Sequence, residues 1–262
     1  MENYYTNSVP APADCETIGV VIPAYKEQDN IALLIKRIHG FVPSARIVII
    51  DDSPDLVTMS AVEGSRALLP KPNLITAVHR ERKEGRGSAI LAGMRHLRDA
   101  GCGRVVEMDA DFSPPPEEIP ALLRSARESG LDLLIASRYL PGSRIENWPI
   151  RRRLFSRVAN LLARLLLRIP VSDYTNGFRI YSPRAVAEVC RSCGNLGRGF
   201  IALSEILVKL DLAGCRIGEA PTRFVNRNRG ESSVTCEELR WAVAGIVRIF
   251  LFQRNAQRAP GQ

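Results

Sequence analysis

Carboxylates that follow apolar runs are the residues of this sequence best suited to chemistry. Asp52 follows the run that ends at Ile50, and the pair Asp109 and Asp111 follows the run that ends at Met108. Carboxylates gathered at one place repel each other unless a positive charge lies among them. A hard divalent cation meets this need, and Mg²⁺ takes one or two carboxylates together with substrate phosphates. The Asp-x-Asp pair therefore predicts a metal-assisted site for a nucleotide diphosphate.

The same pair has a second interpretation as a turn. Asp and Ser side chains hydrogen-bond to nearby backbone N–H groups, so Asp111 and Ser113 are also suited to forming the turn or capping the next helix. The position of the pair, after four apolar residues and before prolines 114–116, favours the metal site over the turn alone.

A glycine-rich segment, residues 85–89 (Gly-Arg-Gly-Ser-Ala), opens a predicted helix. Glycines at such a place let a diphosphate approach the backbone and the N-terminus of the helix. The segment matches neither the Gly-x-Gly-x-x-Gly pattern of dinucleotide-binding proteins nor the Walker loop. The sequence thus argues against a simple dehydrogenase and against a P-loop enzyme.

Alternating strands and helices must position these residues. Apolar runs predict strands at 18–22, 46–50, 74–78, 105–108 and 131–136, and helical patterns predict helices at 30–40, 87–100 and 117–129. This alternation predicts an α/β fold with a doubly wound, mostly parallel central sheet flanked by helices. Ligands bind beyond the carboxyl ends of the strands in such a sheet, so we expect the acidic residues to meet at one edge.

The second half of the sequence differs in charge and pattern. Residues 1–140 carry a net charge of −3 and residues 141–262 a net charge of +11. Amphipathic helices are predicted at 152–169 and 241–252, and the second falls short of the ~20 residues that span a membrane. These helices either pack on the core or lie on a membrane or a membrane-embedded partner. The basic half predicts an anionic partner.

Length and composition limit the number of domains that the sequence can form. The 262 residues are 45% hydrophobic and 24% charged, which fits one sizeable α/β domain. We predict a flexible tail at 1–15 without signal-peptide character, a main domain at 16–235, and a C-terminal amphipathic helix and tail at 236–262. The Cys190-x-x-Cys193 spacing has no second pair, so free thiols are favoured over zinc or redox chemistry.

Seven segments, in chain order, resemble the dolichol-phosphate (polyprenyl-phosphate) mannose synthase group of inverting GT-A glycosyltransferases. They are residues 21–27 (Val-Ile-Pro-Ala-Tyr-Lys-Glu), 50–55 (Ile-Asp-Asp-Ser-Pro-Asp), 85–89, 109–111 (Asp-Ala-Asp), 137–142 (Ser-Arg-Tyr-Leu-Pro-Gly), 173–179 (Asp-Tyr-Thr-Asn-Gly-Phe-Arg) and 227–232 (Arg-Asn-Arg-Gly-Glu-Ser). Each segment alone is modest, but seven in order over residues 18–233 are specific.

The resemblance implies a role for each candidate residue. The nucleoside pocket would be lined by Pro23, Tyr25, Glu27 and Asp52, and Arg86 would bind the nucleotide sugar. The metal and the sugar diphosphate would be held by Asp109 and Asp111, with Mg²⁺ or Mn²⁺ as the cofactor. Arg138 would lie near the transferred sugar or the phosphates, and Glu205 in the sugar pocket. The acceptor phosphate would be bound by Arg151, Arg152 and Arg153.

Three positions depart from the pattern of this group. Ser53 stands where the group has glycine, Leu203 where it has glutamine, and Ser233 where a lysine follows Glu-Ser. Either Arg229 takes over the neutralising role of that lysine toward the leaving diphosphate, or the donor differs from that of the group.

The implied reaction moves a hexose, most directly mannose from GDP-mannose, onto a polyprenyl or dolichyl phosphate. A phosphate monoester is ionised near pH 7, with a second pKa of about 6, so it needs no general base. The expected partners are a nucleotide-sugar donor, the lipid phosphate, and a membrane surface or membrane-embedded subunit. The expected location is the cytoplasmic face of a membrane, as a peripheral protein.

Three alternatives stay open at this point. A transferase using a UDP-sugar or a saccharide or other hydroxyl acceptor would need a carboxylate base such as Glu205. A nucleotide-sugar-binding scaffold subunit would bind the donor without turnover. Nucleic-acid binding by the basic half has no supporting zinc spacing or aromatic-rich basic surface, so we expect no nucleic-acid partner.

Overall fold

The computed structural model describes residues 17–195, 201–226 and 236–258. Side chains of the last range are described from 245 to 256. The predicted tail at 1–15 and the candidate Arg229 lie outside the described residues. The predicted division at 235/236 stays a prediction.

A seven-stranded sheet forms the centre of the protein, in the order β3-β2-β1-β4-β7-β5-β8. Its strands are β1 (Ile18–Ala24), β2 (Arg46–Asp51), β3 (Ile75–His79), β4 (Arg104–Glu107), β5 (Leu133–Ser137), β7 (Arg179–Tyr181) and β8 (Ile217–Pro221). All neighbours are parallel except β7, which is antiparallel to β4 and β5. The prediction of a mostly parallel sheet is confirmed. A separate parallel pair joins β6 (Arg144–Glu146) and β9 (Arg223–Val225).

Helices cover both faces of the sheet, as a doubly wound fold requires. They are α1 (Ile31–Phe41), α2 (Val57–Ala67), α3 (Arg86–Asp99), α4 (Ile119–Glu128), α5 (Ile150–Leu167), α6 (Pro183–Ser192), α7 (Ile201–Leu212) and α8 (Cys236–Arg258). Side chains alternate between the faces along β1: Val21 joins the core under α3, whereas Val20 and Ile22 join the core under α1 and α4. Gly93 of α3 lies so close to Val21 that an added Cβ would be 2.3 Å from its Cγ2.

The predicted strands and helices of the first half are all present, with ends that shift by a few residues. Helices α2, α6 and α7 were not predicted. Helix α7 is buried from Ala202 to Lys209 and beyond, so its sequence has no polar face and no helical period. The helix predicted at 241–252 extends over Cys236–Arg258, because no proline stops it before Pro260.

Helix α5 has an unusual distribution of apolar side chains. Asn160, Ala163 and Leu167 are its buried residues. Eight large apolar side chains are exposed, namely Ile150, Leu154, Phe155, Val158, Leu161, Leu162, Leu165 and Leu166. Within the described ranges, no helix is both long enough and apolar enough to cross a membrane.

Candidate active site

The carboxyl ends of β1, β2 and β4 form the edge that carries the acidic residues. Ala24 of β1 pairs with Asp51 of β2, and Val21 of β1 pairs with Glu107 of β4. The strands are parallel, so the residues that follow them emerge on the same side of the sheet. The sequence predicted this shared edge correctly.

Asp52 is buried and both of its carboxylate oxygens are engaged. Arg80 donates to them from Nε at 2.6 Å and from Nη2 at 2.7 Å, and the backbone N–H of Gly85 donates at 3.0 Å. Gly85 has φ +90°, a conformation that favours glycine, and it precedes the first residue of α3. Asp52 therefore anchors the glycine-rich turn to the end of β2. Its role in a nucleoside pocket stays a prediction.

Arg86 links this turn to the Asp-x-Asp segment. Its Nε donates to Oδ1 of Asp109 at 2.9 Å, and its Nη2 lies 2.8 Å from Oε1 of the buried Glu107. Burial acts to lower the pKa of the Arg86 guanidinium, but the charges of Asp109 and Glu107 outweigh it and raise the pKa. Asp52 and Asp109 are thus bound to consecutive residues, Gly85 and Arg86, so they converge on one turn.

Asp111 forms a turn and also lines a cavity. Its Oδ1 accepts the N–H of Ser113 at 3.0 Å, and Phe112 between them has φ +59°. The cavity has a volume of about 440 Å³, and Asp29, Asn30 and Arg37 of the α1 region lie on its wall. The turn interpretation is correct, and it leaves Asp111 at an open cavity. Asp52 and Asp109 do not line this cavity.

Two carboxylates are enough for the cation that the sequence predicts. In the part of the chain that the structure describes, no group of three or more His, Cys, Asp or Glu side chains is placed to hold a metal. Mg²⁺ and similar cations take one or two carboxylates and complete their shell with phosphate oxygens and water. Asp109, with its side chain 29% exposed, and Asp111 at the cavity fit this requirement.

The loop after β1 presents an exposed aromatic ring. Tyr25 is 41% exposed, and Nζ of Lys83 lies 3.9 Å from the centroid of its ring. Lys26 has φ +57° and donates its N–H to Oγ of Ser53 at 2.8 Å. The loop is therefore held against the end of β2, with the ring of Tyr25 available for stacking.

The other two residues predicted for the nucleoside pocket lie beside Tyr25. Pro23 is half-buried within β1, in register with Ile50 of β2. The carbonyl of Glu27 accepts from the N–H groups of Asn30 and Ile31 at the start of α1, and its carboxylate accepts from Asn30 Nδ2 at 2.8 Å. Glu27 therefore orders the beginning of α1.

Arg138 follows β5 and is held by a buried ion pair. Its Nε and Nη2 each donate to the carboxylate of Asp173 at 2.7 Å, and Nη2 also donates to Oγ1 of Thr175 at 2.7 Å. The rings of Trp148 and Phe224 lie 5.3 and 5.2 Å from its guanidinium carbon. Such two-point pairing fixes the plane of the guanidinium.

Each charged group of this pair shifts the pKa of the other. Burial acts to raise the pKa of Asp173, but Arg138 outweighs it and holds the pKa below its usual range. Burial likewise acts to lower the pKa of Arg138, and Asp173 outweighs it and raises the pKa. Both groups are therefore charged at neutral pH.

The three arginines predicted for the acceptor phosphate diverge at the start of α5. Arg151 is exposed. Arg152 lies 4.4 Å over the ring of Trp148 and donates to Oδ1 of Asn226 at 2.8 Å. Arg153 donates from Nη2 to the carbonyl of Ile145. Arg152 therefore shares an aromatic neighbour, Trp148, with Arg138, whereas Arg153 ties α5 to β6.

Glu205 is buried in α7 and has charged and backbone partners. It accepts from the N–H groups of Gly194 at 2.9 Å and Asn195 at 3.1 Å, and Nζ of Lys209 lies 3.2 Å away. A carboxylate engaged in this way orders the chain at 194–195. Its predicted place in a sugar pocket stays a prediction.

Several residues of the site were not predicted from the sequence. Arg80, Glu107, Asp173 and Trp148 each contact a predicted residue, yet none had been assigned a role of its own. Asp173 belongs to a segment that the resemblance includes, so that segment was the available signal. The thiols of Cys190 and Cys193 are free, and burial raises the pKa of both, that of Cys193 to about 12. This agrees with the prediction of free thiols.

Comparison with known families decides the assignment. The model of the family "Glycosyl transferase family 2" matches residues 19–190. The chain belongs to this family. The match covers the ends of β1, β2, β4 and β5 and the start of α5.

Curated relatives resemble the chain along most of its length. Polyprenol monophosphomannose synthase of Mycolicibacterium smegmatis is 35% identical, over 86% of this chain and 83% of that protein. Undecaprenyl-phosphate mannosyltransferase of Micrococcus luteus is 32% identical, over 87% and 91%. Dolichol-phosphate mannosyltransferase of Pyrococcus furiosus is 31% identical, over 92% and 66%.

Solved structures of more distant sequence share the fold. Glucosyl-3-phosphoglycerate synthase of Mycobacterium tuberculosis, crystallised with Mn²⁺ and UDP-glucose, superposes with a TM-score of 0.64. It is 20% identical, and the match covers 91% of this chain and 79% of that one. The GT-A fold of this glycosyltransferase is thereby confirmed.

Proposed function

We propose that this glycosyltransferase moves mannose from GDP-mannose onto a polyprenyl phosphate at a membrane surface, with inversion at the anomeric carbon. The observation that carries the proposal is the convergence at one sheet edge. Asp52 and Asp109 are bound there to the turn at Gly85 and Arg86, and Asp111 follows Asp109 at the edge of a cavity. The arginine-rich start of α5 shares Trp148 with Arg138. The names of the three curated relatives support the choice of sugar and acceptor.

Asp109 and Asp111 would hold the divalent cation that the donor diphosphate shares, either Mg²⁺ or Mn²⁺. A bound cation of this kind neutralises charge that develops on the leaving diphosphate. Tyr25 would stack on the base of the nucleotide, since its ring is exposed and held against the end of β2. Arg138 would lie against the transferred sugar or its phosphates, oriented by Asp173.

The burial and the contacts of Glu205 favour a phosphate acceptor over a hydroxyl acceptor. A hydroxyl group must lose a proton to a base, which must itself reach the substrate. Glu205 is buried, accepts two backbone N–H groups and is paired with Lys209, so it is poorly suited to that task. A lipid phosphate is already an anion and needs arginine donors to hold it in place.

We expect Arg152→Ala to raise the KM for polyprenyl phosphate about tenfold, because a charge-assisted hydrogen bond contributes about 1.5–3 kcal/mol. The KM for the donor should change less than about twofold, since Arg152 lies on the α5 side of the site. Arg124→Ala is the control, because Arg124 is an exposed arginine of α4, outside the surface proposed for the acceptor and the membrane. Equal acceptor KM values for Arg152→Ala and the unmodified enzyme would remove Arg152 from the acceptor site.

The apolar side of α5 is suited to a lipid surface. Its exposed leucines are flanked by exposed arginines, including Arg157 and Arg164, which attract anionic lipids. Helix α8 contacts α5 and adds the exposed Val247, Leu251 and Phe252. We propose that this surface lies on the cytoplasmic face of a membrane, where the acceptor phosphate meets the site.

The double change Leu161→Asp and Leu165→Asp should weaken binding to phosphatidylglycerol vesicles about tenfold or more, because each buried leucine contributes about 1.5–3 kcal/mol. Both side chains are more than half exposed, so the melting temperature should stay the same. Leu68→Asp alters another exposed leucine, outside α5, and should not affect vesicle binding. Cosedimentation with vesicles measures the effect, and undiminished binding by the double variant would exclude α5 as the membrane surface.

A panel of donors tests the proposed nucleotide. In the presence of Mn²⁺, GDP-mannose should raise the melting temperature more than UDP-glucose or UDP-galactose does, since a ligand that binds only the folded state stabilises it. A larger shift with a UDP-sugar would overturn GDP-mannose as the donor. Binding of GDP-mannose without transfer to any acceptor would instead indicate a scaffold subunit.

A further inference from the structure

A buried chain of polar side chains lies behind Asp109. The hydroxyl of Tyr181 donates to Oε2 of Glu107 at 2.6 Å, and Oε1 of Glu107 lies 2.8 Å from Nη2 of Arg86. Arg86 then donates from Nε to Oδ1 of Asp109 at 2.9 Å. Tyr181 and Glu107 are fully buried, whereas the side chain of Asp109 is 29% exposed. This series of side-chain contacts therefore connects the core of the sheet to a carboxylate at its edge.

The sheet itself sets the first link of this chain. Glu107 of β4 pairs with Arg179 of β7, and Tyr181 is two residues beyond Arg179. Residues two apart on a strand point to the same face, so Tyr181 is a diagonal neighbour of Glu107. The antiparallel strand β7 thus places the hydroxyl of Tyr181 beside the buried carboxylate of Glu107, which accepts its hydrogen bond.

Gly177 leaves the space that Arg86 occupies. A Cβ at this position would be 1.9 Å from Nη2 and 2.8 Å from Cζ of Arg86. Cβ atoms do not approach non-bonded atoms this closely, so any other residue would displace the guanidinium. This accounts physically for a glycine within the segment 173–179.

The formal charges near Asp109 favour a cation. Glu107, Asp109 and Asp111 are acidic, whereas Arg86 and the buried Arg179, in register with Glu107, are basic, so the net formal charge is −1. Glu107 shares the positive charge of Arg86, so Asp109 is only partly neutralised and its hydrogen bond to Arg86 uses Oδ1. Without the charge of Glu107, Arg86 would neutralise Asp109 more fully and compete with a cation for it.

We infer that Glu107, Tyr181 and Gly177 are positioning residues that hold Arg86 so that Asp109 keeps both the orientation and the charge needed to bind the donor's cation. The inference rests on the proposed function in one respect, namely that Asp109 is a cation ligand. It does not depend on which sugar or which acceptor the enzyme uses.

Binding of Mn²⁺ alone, measured by water-proton relaxation, tests this inference without a turnover assay. Glu107→Gln keeps the shape of the side chain but removes its charge, and we expect about tenfold weaker Mn²⁺ binding from the lost electrostatic attraction. Gly177→Ala keeps every charge but displaces Arg86, and we expect a several-fold loss. Tyr181→Phe removes only the hydroxyl and should cause the smallest loss of the three.

Two glycine controls separate positioning from general loss of stability. Gly64 has open space around it, so Gly64→Ala should leave both the melting temperature and Mn²⁺ binding unchanged. Gly218→Ala brings a Cβ within 2.7 Å of Leu131 Cδ1, so it should lower the melting temperature without affecting Mn²⁺ binding. If Glu107→Gln does not fold, the comparison of Gly177→Ala with these two controls decides whether the position of Arg86 affects Mn²⁺ binding.

The outcomes distinguish the inference from the proposed metal site. Loss of Mn²⁺ binding in Asp109→Ala, together with weaker binding in Glu107→Gln and Gly177→Ala, supports the inference. Loss in Asp109→Ala with unchanged binding in the other two would overturn the inference and leave the metal site in place. Unchanged binding in Asp109→Ala would overturn the metal site itself.

Discussion

Asp111→Asn is expected to lower kcat/KM for mannosyl transfer by about 10²–10⁴-fold, because removing charge stabilisation from a transition state costs about 3–5 kcal/mol. The carboxamide oxygen of asparagine can still accept the N–H of Ser113, so the turn should survive. The variant therefore separates the two roles of Asp111, its charge and its turn.

Asp29→Asn is the matched control for this experiment, because Asp29 lines the same cavity but lies at the start of α1. We expect less than about a twofold change in kcat/KM from this control, since Asp29 is exposed and is not one of the two proposed cation ligands. Addition of EDTA should abolish transfer by the unmodified enzyme and restoration of Mn²⁺ should recover it. An Asp111→Asn enzyme of normal activity would show that the turn, and not the charge, is what the site requires.

Asp173→Asn is expected to lower the free energy of unfolding by about 3–5 kcal/mol, because it leaves the buried charge of Arg138 without its partner. Asparagine keeps the size of the side chain, so the loss reflects the charge and its hydrogen bonds. Mannosyl transfer should fall as well, since the guanidinium plane of Arg138 is set by Asp173. Denaturant unfolding and the transfer assay measure the two effects.

The effect of Asp173→Asn should depend on pH. The pKa of Asp173 is lowered in the folded protein, so its contribution to stability is fully present above its unfolded pKa of about 4. That contribution is lost as the pH falls below 4 through the folded pKa. The difference in unfolding free energy between the two proteins should therefore be constant from pH 7 to about pH 5 and shrink below about pH 4.

The pair of Glu146 and Arg223 provides the contrast. It has similar geometry, with Nε 2.9 Å from Oε1, but both side chains are exposed. Exposed ion pairs are screened by water and salt, so Glu146→Gln should leave the melting temperature unchanged. Equal melting temperatures for Asp173→Asn and the unmodified protein would show that the buried pair of Arg138 and Asp173 contributes no more to stability than the exposed pair does.

The sequence predicts the sheet edge well, because the rule behind it is local. A buried strand reads as an apolar run, and in a parallel sheet the residue that follows each run must emerge at the carboxyl edge. Asp52, Asp109 and Asp111 were found in this way. Gly85 was found from a second local signal, a glycine-rich segment before a predicted helix, and the structure gives it a positive φ.

The partners of these residues could not be found in the same way, because they depend on contacts between distant parts of the chain. Arg80 is 28 residues from Asp52, and Asp173 is 35 residues from Arg138. Glu107 reads as an ordinary polar residue at the end of a strand until β7 brings Tyr181 beside it. Helix α7 was missed for a different reason, since a helix buried on all sides has no period to detect.

Transfer of label from GDP-[¹⁴C]mannose to a polyprenyl phosphate in vesicles, with Mn²⁺ present, tests the central claim most directly. We predict that label moves into the organic phase as a mannosyl phosphate lipid, and that both EDTA and Asp111→Asn prevent this movement. Label that entered only water-soluble saccharides, or lipid labelling that continued unchanged in EDTA, would contradict the proposal that strand-end carboxylates bind a cation shared with the donor.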